Sequence, residues 1–245
     1  MRIQKYLASK SHYSRRAIEQ LIEEKKIKVN GTYIQAGQNV KHGDRIQLER
    51  RKITVNLEEV QQDKVLMVNK PLGVICSKKD EKDRPSIYSL LPKKSEEKWF
   101  MVGRLDINSS GLILFCNNGD MANLLMHPRH ELVRTYRVRV YGKACESHAE
   151  KLEEGVICDG VKLQCISCRA LHNQRDGMNQ WYEMELKTGH NRMIRKMWDA
   201  LGMQVSRLVR TGYGGIFLPQ NIGLGKSRML TEKELEVLKK NSKSP

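Results

Sequence analysis

Hydrophobic and polar positions follow two different periods along the chain, and the change of period marks the predicted elements. Near the start, apolar residues recur at helical spacing: Ile3, Leu7, Ile18, Leu21 and Ile22. Ser14 stands where a helix cap is expected. Residues 27–31 and 40–48 instead alternate apolar with polar positions and contain Asn-Gly and His-Gly turns. The pattern predicts two short helices packed on a small hairpin-like sheet, with a polar linker at 49–63.

The rest of the chain mixes both periods. Unbroken apolar runs at 65–68 and 111–115 predict buried strands, whereas strict alternation over 136–141 predicts a half-buried strand with Tyr136 facing inward. Helical patterns begin at Asn118, near Ser147, at Asn191 and at the capping box of Thr231 and Glu234. Further strands are predicted at 156–158, 161–170, 181–186 and 203–210, with a polar loop at 171–180.

The net charge of the chain indicates a nucleic-acid partner rather than a generic globular protein. The 245 residues carry 44 Lys and Arg against 28 Asp and Glu, a net charge of +16. Residues 1–60 alone hold thirteen basic against seven acidic residues, a net charge of +6. A basic protein of the membrane surface is the alternative, but no basic amphipathic helix with Trp or Phe on its apolar face is present, so no membrane association is expected.

Cysteine usage and the start of the chain bear on compartment and metal binding. The first residues contain no apolar signal segment, and six cysteines without dense spacing fit a reducing compartment, so a cytoplasmic protein is expected. Cys165 and Cys168 form a single C-x-x-C pair. Because a zinc site needs four ligands and no second pair follows, we expect no metal, and the thiols are interpreted as strand packing.

The segment Gly103–Phe115 is the candidate for chemistry. Its polar turn holds Arg104 and Asp106 directly before the buried strand. Flanking Leu105 and Ile107 are expected to desolvate the Asp106 carboxylate, which then needs a nearby cation to remain ionised. The structural alternative is that Asp106 caps the turn through backbone N–H groups.

The string GRLDINSSGLILF resembles the signature of the RNA pseudouridine synthases, in the subfamily that modifies ribosomal RNA and carries a small RNA-binding domain in front. This resemblance implies that Asp106 is catalytic. The string HPRHELVRTYRVRVYG resembles the second motif of the family, which implies that Tyr136 lies against the target base. The alternative for Tyr136 is a core tyrosine.

The segment 188–202 resembles the third family motif, which implies that Arg195 pairs with Asp106. Asp199 stands four residues after Arg195, so an ordinary surface pair within the helix is the alternative. Arg192 shares a helix face with Arg195 and is a candidate for RNA contact. Leu208 is a candidate for the pocket floor, with core packing as the alternative.

The stretches SRRAIEQLIEEKKIKVNG and GQNVKHGDRIQL resemble the S4 RNA-binding module. Arg15 and Arg16 begin a helix, where positive charge opposes the helix dipole, and RNA phosphates would neutralise them. In the family, the turn at Lys70 borders the active-site cleft; a solvated turn residue is the alternative. Arg104 is expected to brace the gap left by a flipped nucleotide.

Together these resemblances imply an α+β protein: an S4-like domain at 1–60 and a pseudouridine synthase domain at 61–245 on a mixed, largely antiparallel sheet with flanking helices. Isomerising uridine needs no redox change and no group donor, and no G-x-G-x-x-G or phosphate loop is present, so no cofactor is expected. Asp106 is assigned as the catalytic carboxylate, with attack on the sugar or on the base left open. Tyr136 offers a flat face and an oxygen for the C5 proton.

The expected substrate is ribosomal RNA, with 23S favoured over 16S because the second and third motifs are closer to the B type of large-subunit enzyme. A monomer is expected. Two rival functions stay open on sequence alone: a non-catalytic ribosome-assembly factor that binds RNA, and an RNA glycosidase that cleaves without rejoining.

Overall fold

The computed structural model describes residues 1–58, 62–78, 80, 82–92, 97–142, 144–176 and 178–242, with 172–176 described for the backbone alone. Contacts divide the chain into two compact units. One comprises Met1–Asp63 with Glu96–Lys98, and the other comprises Lys64–Ser95 with Trp99–Pro245. Within the described ranges, no helix is both long and apolar enough to cross a membrane.

The first unit packs two helices on a four-stranded antiparallel sheet of order β2-β1-β3-β4. Its elements are α1 Ile3–Lys10, α2 Arg15–Glu23, β1 Ile27–Val29, β2 Thr32–Tyr33, β3 Arg45–Leu48 and β4 Arg51–Thr54. The predicted helix pair and hairpin are confirmed: Asn30 and Gly31 both have positive φ angles, as a tight hairpin turn requires. The linker predicted at 49–63 is partly wrong, because Arg51–Thr54 pairs with β3 as an edge strand.

Lys98 belongs to this first unit and holds the end of α1. Its Nζ donates to the carbonyls of Ala8, Ser11 and Tyr13 at 2.6, 3.2 and 2.8 Å. These bonds satisfy carbonyls around the end of α1 that no later turn of helix can reach. On sequence alone, the charged stretch 93–98 is a further candidate for RNA contact, and residues 93–96 of it lie outside the described residues.

The second unit is built on a mixed sheet of order β11-β12-β8-β13-β7-β5-β15, with β14 beside β13 and β6 beside β7. In the described part, β13 and β7 form the parallel pair and the other pairs are antiparallel, which confirms the predicted mixed sheet. The strands of this unit are β5 Val65–Lys70, β6 Phe100–Val102, β7 Ser110–Cys116, β8 Arg134–Tyr141, β9 Val156–Cys158, β10 Val161–Leu163, β11 Ser167–Asp176, β12 Asn179–Leu186, β13 Gln204–Tyr213, β14 Ile216–Phe217 and β15 Ser227–Met229. Of these, β9 and β10 pair with each other as a separate two-stranded sheet. Its helices are α3 Gly119–Met126, α4 Glu146–Glu154, α5 Met193–Asp199 and α6 Glu232–Asn241.

Helices cover both faces of the central strands, which explains why β5 and β7 are apolar without alternation. Ile113 and Phe115 join a core with α4 and α5, whereas Leu112 and Leu114 join a second core with α3 and α6. All seven residues of β7 are buried, as predicted from the apolar run. The strand therefore forms a rigid support for the turn that precedes it.

The loop predicted at 171–180 is wrong. The backbone of 171–176 continues β11, and β12 begins at Asn179, so the two strands pair as a hairpin. The polar composition of this stretch hid the strand, because edge strands of antiparallel sheets tolerate polar residues on both faces.

Candidate active site

The turn between β6 and β7 carries Asp106, and three hydrogen bonds to its backbone groups hold it in place. Ser109 N donates to Asp106 O at 3.0 Å within the turn, and Gly73 N donates to Ile107 O at 3.0 Å from the turn after β5. Leu105, 8% exposed, anchors the turn in the core, and its N–H donates to Cys76 Sγ at 3.4 Å. The backbone on both sides of Asp106 is thus fixed to the sheet.

The Asp106 side chain itself is exposed and lines a cleft of about 1160 Å³. The expectation that Leu105 and Ile107 desolvate its carboxylate is therefore wrong. Leu105 is buried while Asp106 beside it is exposed, so burial of a residue in this turn does not extend to its neighbour in sequence. The carboxylate is open to whatever enters the cleft.

Arg195, in the first turn of α5, binds the backbone of this turn. Its Nη2 donates to Asn108 O at 2.8 Å and its Nη1 donates to Val205 O at 2.7 Å. Burial and the charge of Arg192 lower the pKa of Arg195, against the opposing effects of Asp106 and Asp199. Among the described residues, Arg195 forms an ion pair neither with Asp106 nor with Asp199, so its role here is to connect α5, β13 and the turn.

Lys70 is fully buried, and its ammonium also binds the turn. Its Nζ donates to Ser109 O at 2.7 Å and to Pro71 O at 3.1 Å. Burial lowers the pKa of Lys70, while Cys76 and Asp106 act in the opposite direction. An ammonium already bonded inside the protein is poorly placed for the RNA contact considered from the sequence, and its position favours a role in holding the turn.

Tyr136 and Leu208 form part of the cleft lining and are both buried, at 9% and 6% exposed. The predicted alternation of β8 is confirmed, since Tyr136, Val138 and Val140 are buried while Tyr141 is exposed. Leu208 lies opposite Val138 in the β8 and β13 pair. Both side chains contribute to the core as well as to the cleft, so the two interpretations made from sequence are compatible.

Arg104 and Arg192 are exposed and line the same cleft. Arg192 precedes α5 with a left-handed φ of 52°, in place of the predicted Asn191 cap. Arg15 and Arg16 are exposed at the start of α2 in the first unit, where Ser14 accepts the Ala17 N–H as predicted and no acidic residue occupies the first turn.

Sequence reasoning missed two arginines that line the cleft. Arg210, 2% exposed, donates from Nε to Leu112 O at 2.7 Å. Arg134 donates from Nη1 to Leu132 O at 3.2 Å and to Lys187 O. The sequence does contain a signal for Arg210: it stands two residues after inward-facing Leu208, and a charged residue on the buried side of a strand is rare without a reason.

The described residues contain no group of three or more His, Cys, Asp or Glu side chains that could hold a metal ion. Cys165 and Cys168 are buried in the core beside β11, and burial raises the pKa of Cys165 to about 12. Thiols of this kind are protonated and pack as small apolar groups.

The chain matches known protein families along most of its length. The model of the RNA pseudouridylate synthase family matches residues 64–200, and that of the S4 domain matches residues 1–46. The chain is 39% identical over 228 residues to ribosomal large subunit pseudouridine synthase B of Yersinia pestis, covering 91% of this chain and 70% of that protein. It is 38% identical over 226 residues to the protein of the same description from Escherichia coli K12, covering 91% and 77%.

A solved structure described as a pseudouridylate synthase aligns over 97% of this chain and 99% of its own, with a TM-score of 0.66 and 26% identity. Fold and cleft thus define an RNA-modifying isomerase of the α+β class with an S4 domain at its start. The chain belongs to the RNA pseudouridylate synthase family. The family and the fold class expected from the sequence motifs are confirmed.

Proposed function

We propose that this protein isomerises one uridine of 23S ribosomal RNA to pseudouridine, with Asp106 as the catalytic carboxylate. The observation that carries the proposal is the exposed Asp106 in a basic cleft, on a turn whose Asn108 and Ser109 carbonyls are bound by Arg195 and Lys70. The large-subunit assignment is supported by relatives described as ribosomal large subunit pseudouridine synthase B.

The roles of the side chains follow from their positions. Asp106 is exposed to the cleft and is the group that reaches the nucleotide. Tyr136 supplies a flat face for the base and an oxygen for the C5 proton, and Leu208 supplies an apolar contact beside it. Arg195 and Lys70 act through the backbone, since fixing a reacting group to within a fraction of an ångström contributes strongly to rate.

The cleft exceeds the volume typical of a single small ligand, about 300–1,000 Å³, at about 1160 Å³. Among its charged lining residues, seven Lys or Arg stand against two Asp, and Arg104 and Arg192 are exposed beside Asp106 and α5. A target base stacked in RNA must leave the stack to reach Asp106, and we propose that Arg104 braces the position it leaves. Arg15 and Arg16 are proposed to bind RNA phosphates from the first unit.

We further propose that the protein acts in the cytoplasm and that it is a monomer. Light scattering of the purified chain tests the monomeric state directly. A dimer would contradict that part of the proposal without affecting the assignment of the reaction.

The test of function is pseudouridine mapping of unmodified 23S and 16S transcripts after incubation with wild-type protein and with Asp106→Asn, which keeps the shape of the side chain. We expect one new site in 23S RNA that is absent with the variant. A site in 16S RNA would overturn the choice of subunit, and abasic sites would indicate a glycosidase. Equal RNA binding by both proteins with no modification on transcripts or assembly intermediates would indicate a non-catalytic binding factor.

A further inference from the structure

Arg210 is a buried cation at the floor of the cleft with its guanidinium fixed in place. It lies on β13 opposite Tyr136 in the β8 pair and beside Gly111 in the β7 pair. Its Nε donates to Leu112 O at 2.7 Å, and only 2% of the residue is exposed. The hydrogen bond from Nε fixes the plane of the guanidinium, and with it the directions of the remaining N–H donors.

The hydrogen bonds of the Arg210 guanidinium are incomplete within the described part of the chain. Its Nη2 is buried and has no hydrogen-bond partner, and no carboxylate pairs with it among the described residues. The face of Tyr213 lies 5.2 Å from its Cζ, an interaction that offsets only part of the loss of hydration. A buried cation with an unused donor is costly, and such groups persist where a bound water, an ion or a ligand completes their hydrogen bonds.

Three other cations, at the cleft or at the turn that carries Asp106, provide a comparison. Arg134 lies at the same distance, 5.2 Å, from the Tyr213 ring, yet its Nη1 donates to two carbonyls. Arg195 and Lys70 likewise donate to two carbonyls each. Among these four, Arg210 is the one that keeps a buried donor unused in the described structure.

We propose that Arg210 is a binding residue for the RNA substrate, and that its guanidinium donates to a non-bridging phosphate oxygen of the nucleotide that enters the cleft. This inference rests on the proposed function only in taking RNA as the ligand. An arginine whose plane is fixed by one bond is suited to phosphate, because the remaining donors match two oxygens in one plane. Gly103 begins the catalytic turn beside this guanidinium: a Cβ there would lie 3.9 Å from Nη1, so a longer side chain would cover it.

The test is a thermodynamic cycle between Arg210 and single phosphates of the RNA. The probe is an rRNA fragment that the wild-type protein isomerises or, if none is isomerised, the fragment that it binds most tightly. Methylphosphonates are placed at one linkage at a time, each after a 2′-deoxynucleotide that keeps the linkage stable, with the 2′-deoxy phosphodiester as reference. Dissociation constants are measured for the wild type, Arg210→Gln, Arg210→Lys and the exposed control Arg207→Gln on the same strand.

We expect one linkage at which the methylphosphonate weakens wild-type binding about 10- to 100-fold, the range of a hydrogen bond between charged groups. At that linkage the methylphosphonate should weaken RNA binding by Arg210→Gln less than about 2-fold. Its effect on binding by Arg210→Lys should be intermediate, because a lysine keeps the charge but lacks the planar set of donors of a guanidinium. Arg207→Gln should respond as the wild type does. A purely structural Arg210 would lower stability but would not couple to one phosphate.

Equal responses of the wild type and both Arg210 variants at every linkage would overturn the inference. Coupling of Arg210 to 4-thiouridine at the target, rather than to a phosphate, would also overturn it and assign the arginine to the base. Since the readout is binding, a chain that binds but does not isomerise RNA would refute the proposed function while leaving this inference standing. Arg210→Lys keeps the test decisive if the Gln variant does not fold.

Discussion

Arg195 Nη2 lies 2.8 Å from the carbonyl oxygen of Asn108, two residues beyond Asp106, and so connects α5 to the turn through backbone rather than through the carboxylate. Its Nη1 reaches Val205 O on β13, so one guanidinium spans two segments. Arg195→Lys keeps the charge but offers a single nitrogen that cannot span both carbonyls. We expect the single-turnover rate to fall about 100-fold, as misplacement of a reacting group by about 1 Å does, with the RNA dissociation constant changed less than about 3-fold.

The matched control for this prediction is Lys196→Gln on the same helix. Lys196 pairs with Asp159 at 2.6 Å, with 41% and 75% of the two side chains exposed, so its loss should cost less than about 1 kcal/mol and leave the rate near that of the wild type. Full activity of Arg195→Lys would mean that charge alone suffices and that the bridge between the carbonyls is not needed.

Gly111, the second residue of β7, tests the close pairing of this strand with β13. It has a φ of +103°, and a Cβ there would lie 2.2 Å from the backbone oxygen of Arg210. Because backbone cannot move aside as a flexible side chain can, Gly111→Ala should destabilise the second unit by about 3 kcal/mol or more and reduce isomerisation. All three tryptophans lie in this unit, so urea unfolding followed by tryptophan fluorescence measures the effect.

Gly160 supplies the comparison, since its φ is +78° and no atom lies within 4 Å of its added Cβ. Gly160→Ala should therefore show the conformational cost alone, about 1–2 kcal/mol. Similar losses in the two variants would refute the steric explanation for Gly111.

The parts of the fold that sequence predicted are those governed by burial and local chemistry. The apolar run of β7, the alternation around Tyr136 and the Thr231 capping box each dictate structure within a few residues. The strand at 171–176 was missed because its pairing is provided by β12, a partner that no local pattern reveals. At the edge strands of a sheet, tertiary contacts can outweigh the intrinsic secondary-structure propensity of the residues.

The motifs pointed to residues that lie close together in the fold, but they did not indicate the contacts between them. The motifs identified Asp106, Tyr136 and Arg195, and these residues do lie around one turn and one cleft. The structure nonetheless brings Arg195 to the Asn108 carbonyl rather than to the carboxylate. Spacing in sequence cannot distinguish these two acceptors, since they lie two residues apart on the same turn.

Replacing Arg15 and Arg16 is predicted to weaken RNA binding and, at the same time, to stabilise α2. Replacing both with Gln should weaken RNA binding and make the slope of log K against log salt shallower by about 0.7 for each phosphate that is no longer neutralised. The same change should stabilise α2 slightly, by about 0.3–1 kcal/mol, because positive charge at a helix start opposes the dipole and no acidic residue offsets it there. Binding titrations across salt and thermal unfolding measure the two effects.

Lys240→Gln, an exposed change on α6, serves as the control for general charge loss. If Arg15 and Arg16 could be replaced with no change in salt slope beyond that of Lys240→Gln, the first unit would bind RNA through other residues.

Glu234 makes the stability of the second unit dependent on pH. Arg228 donates to both of its carboxylate oxygens at 2.7 Å, while Thr231 contributes backbone and side-chain bonds to the same group. The pKa of Glu234 is lowered from its ordinary 4.5 to about 2, and the hydrogen bonds from Arg228 make the largest contribution to this shift. Because the folded state binds this proton less tightly than the unfolded state, the stabilisation is complete above about pH 4.5 and is lost as the pH falls towards 2.

Glu234→Gln keeps the shape of the side chain, removes its charge and replaces one of the two acceptor oxygens with an NH2 donor. Both partners are partly exposed, at 24% and 34%, so solvent screening limits the expected loss to about 1–2 kcal/mol at pH 7. The difference between the wild type and the variant should shrink between pH 4.5 and 2 in urea unfolding followed by tryptophan fluorescence. Glu232→Gln, an exposed acid in the same first turn, should change stability by less than about 0.5 kcal/mol at every pH. A constant difference for Glu234→Gln over that pH range would show that packing of the cap, rather than its charge, stabilises α6.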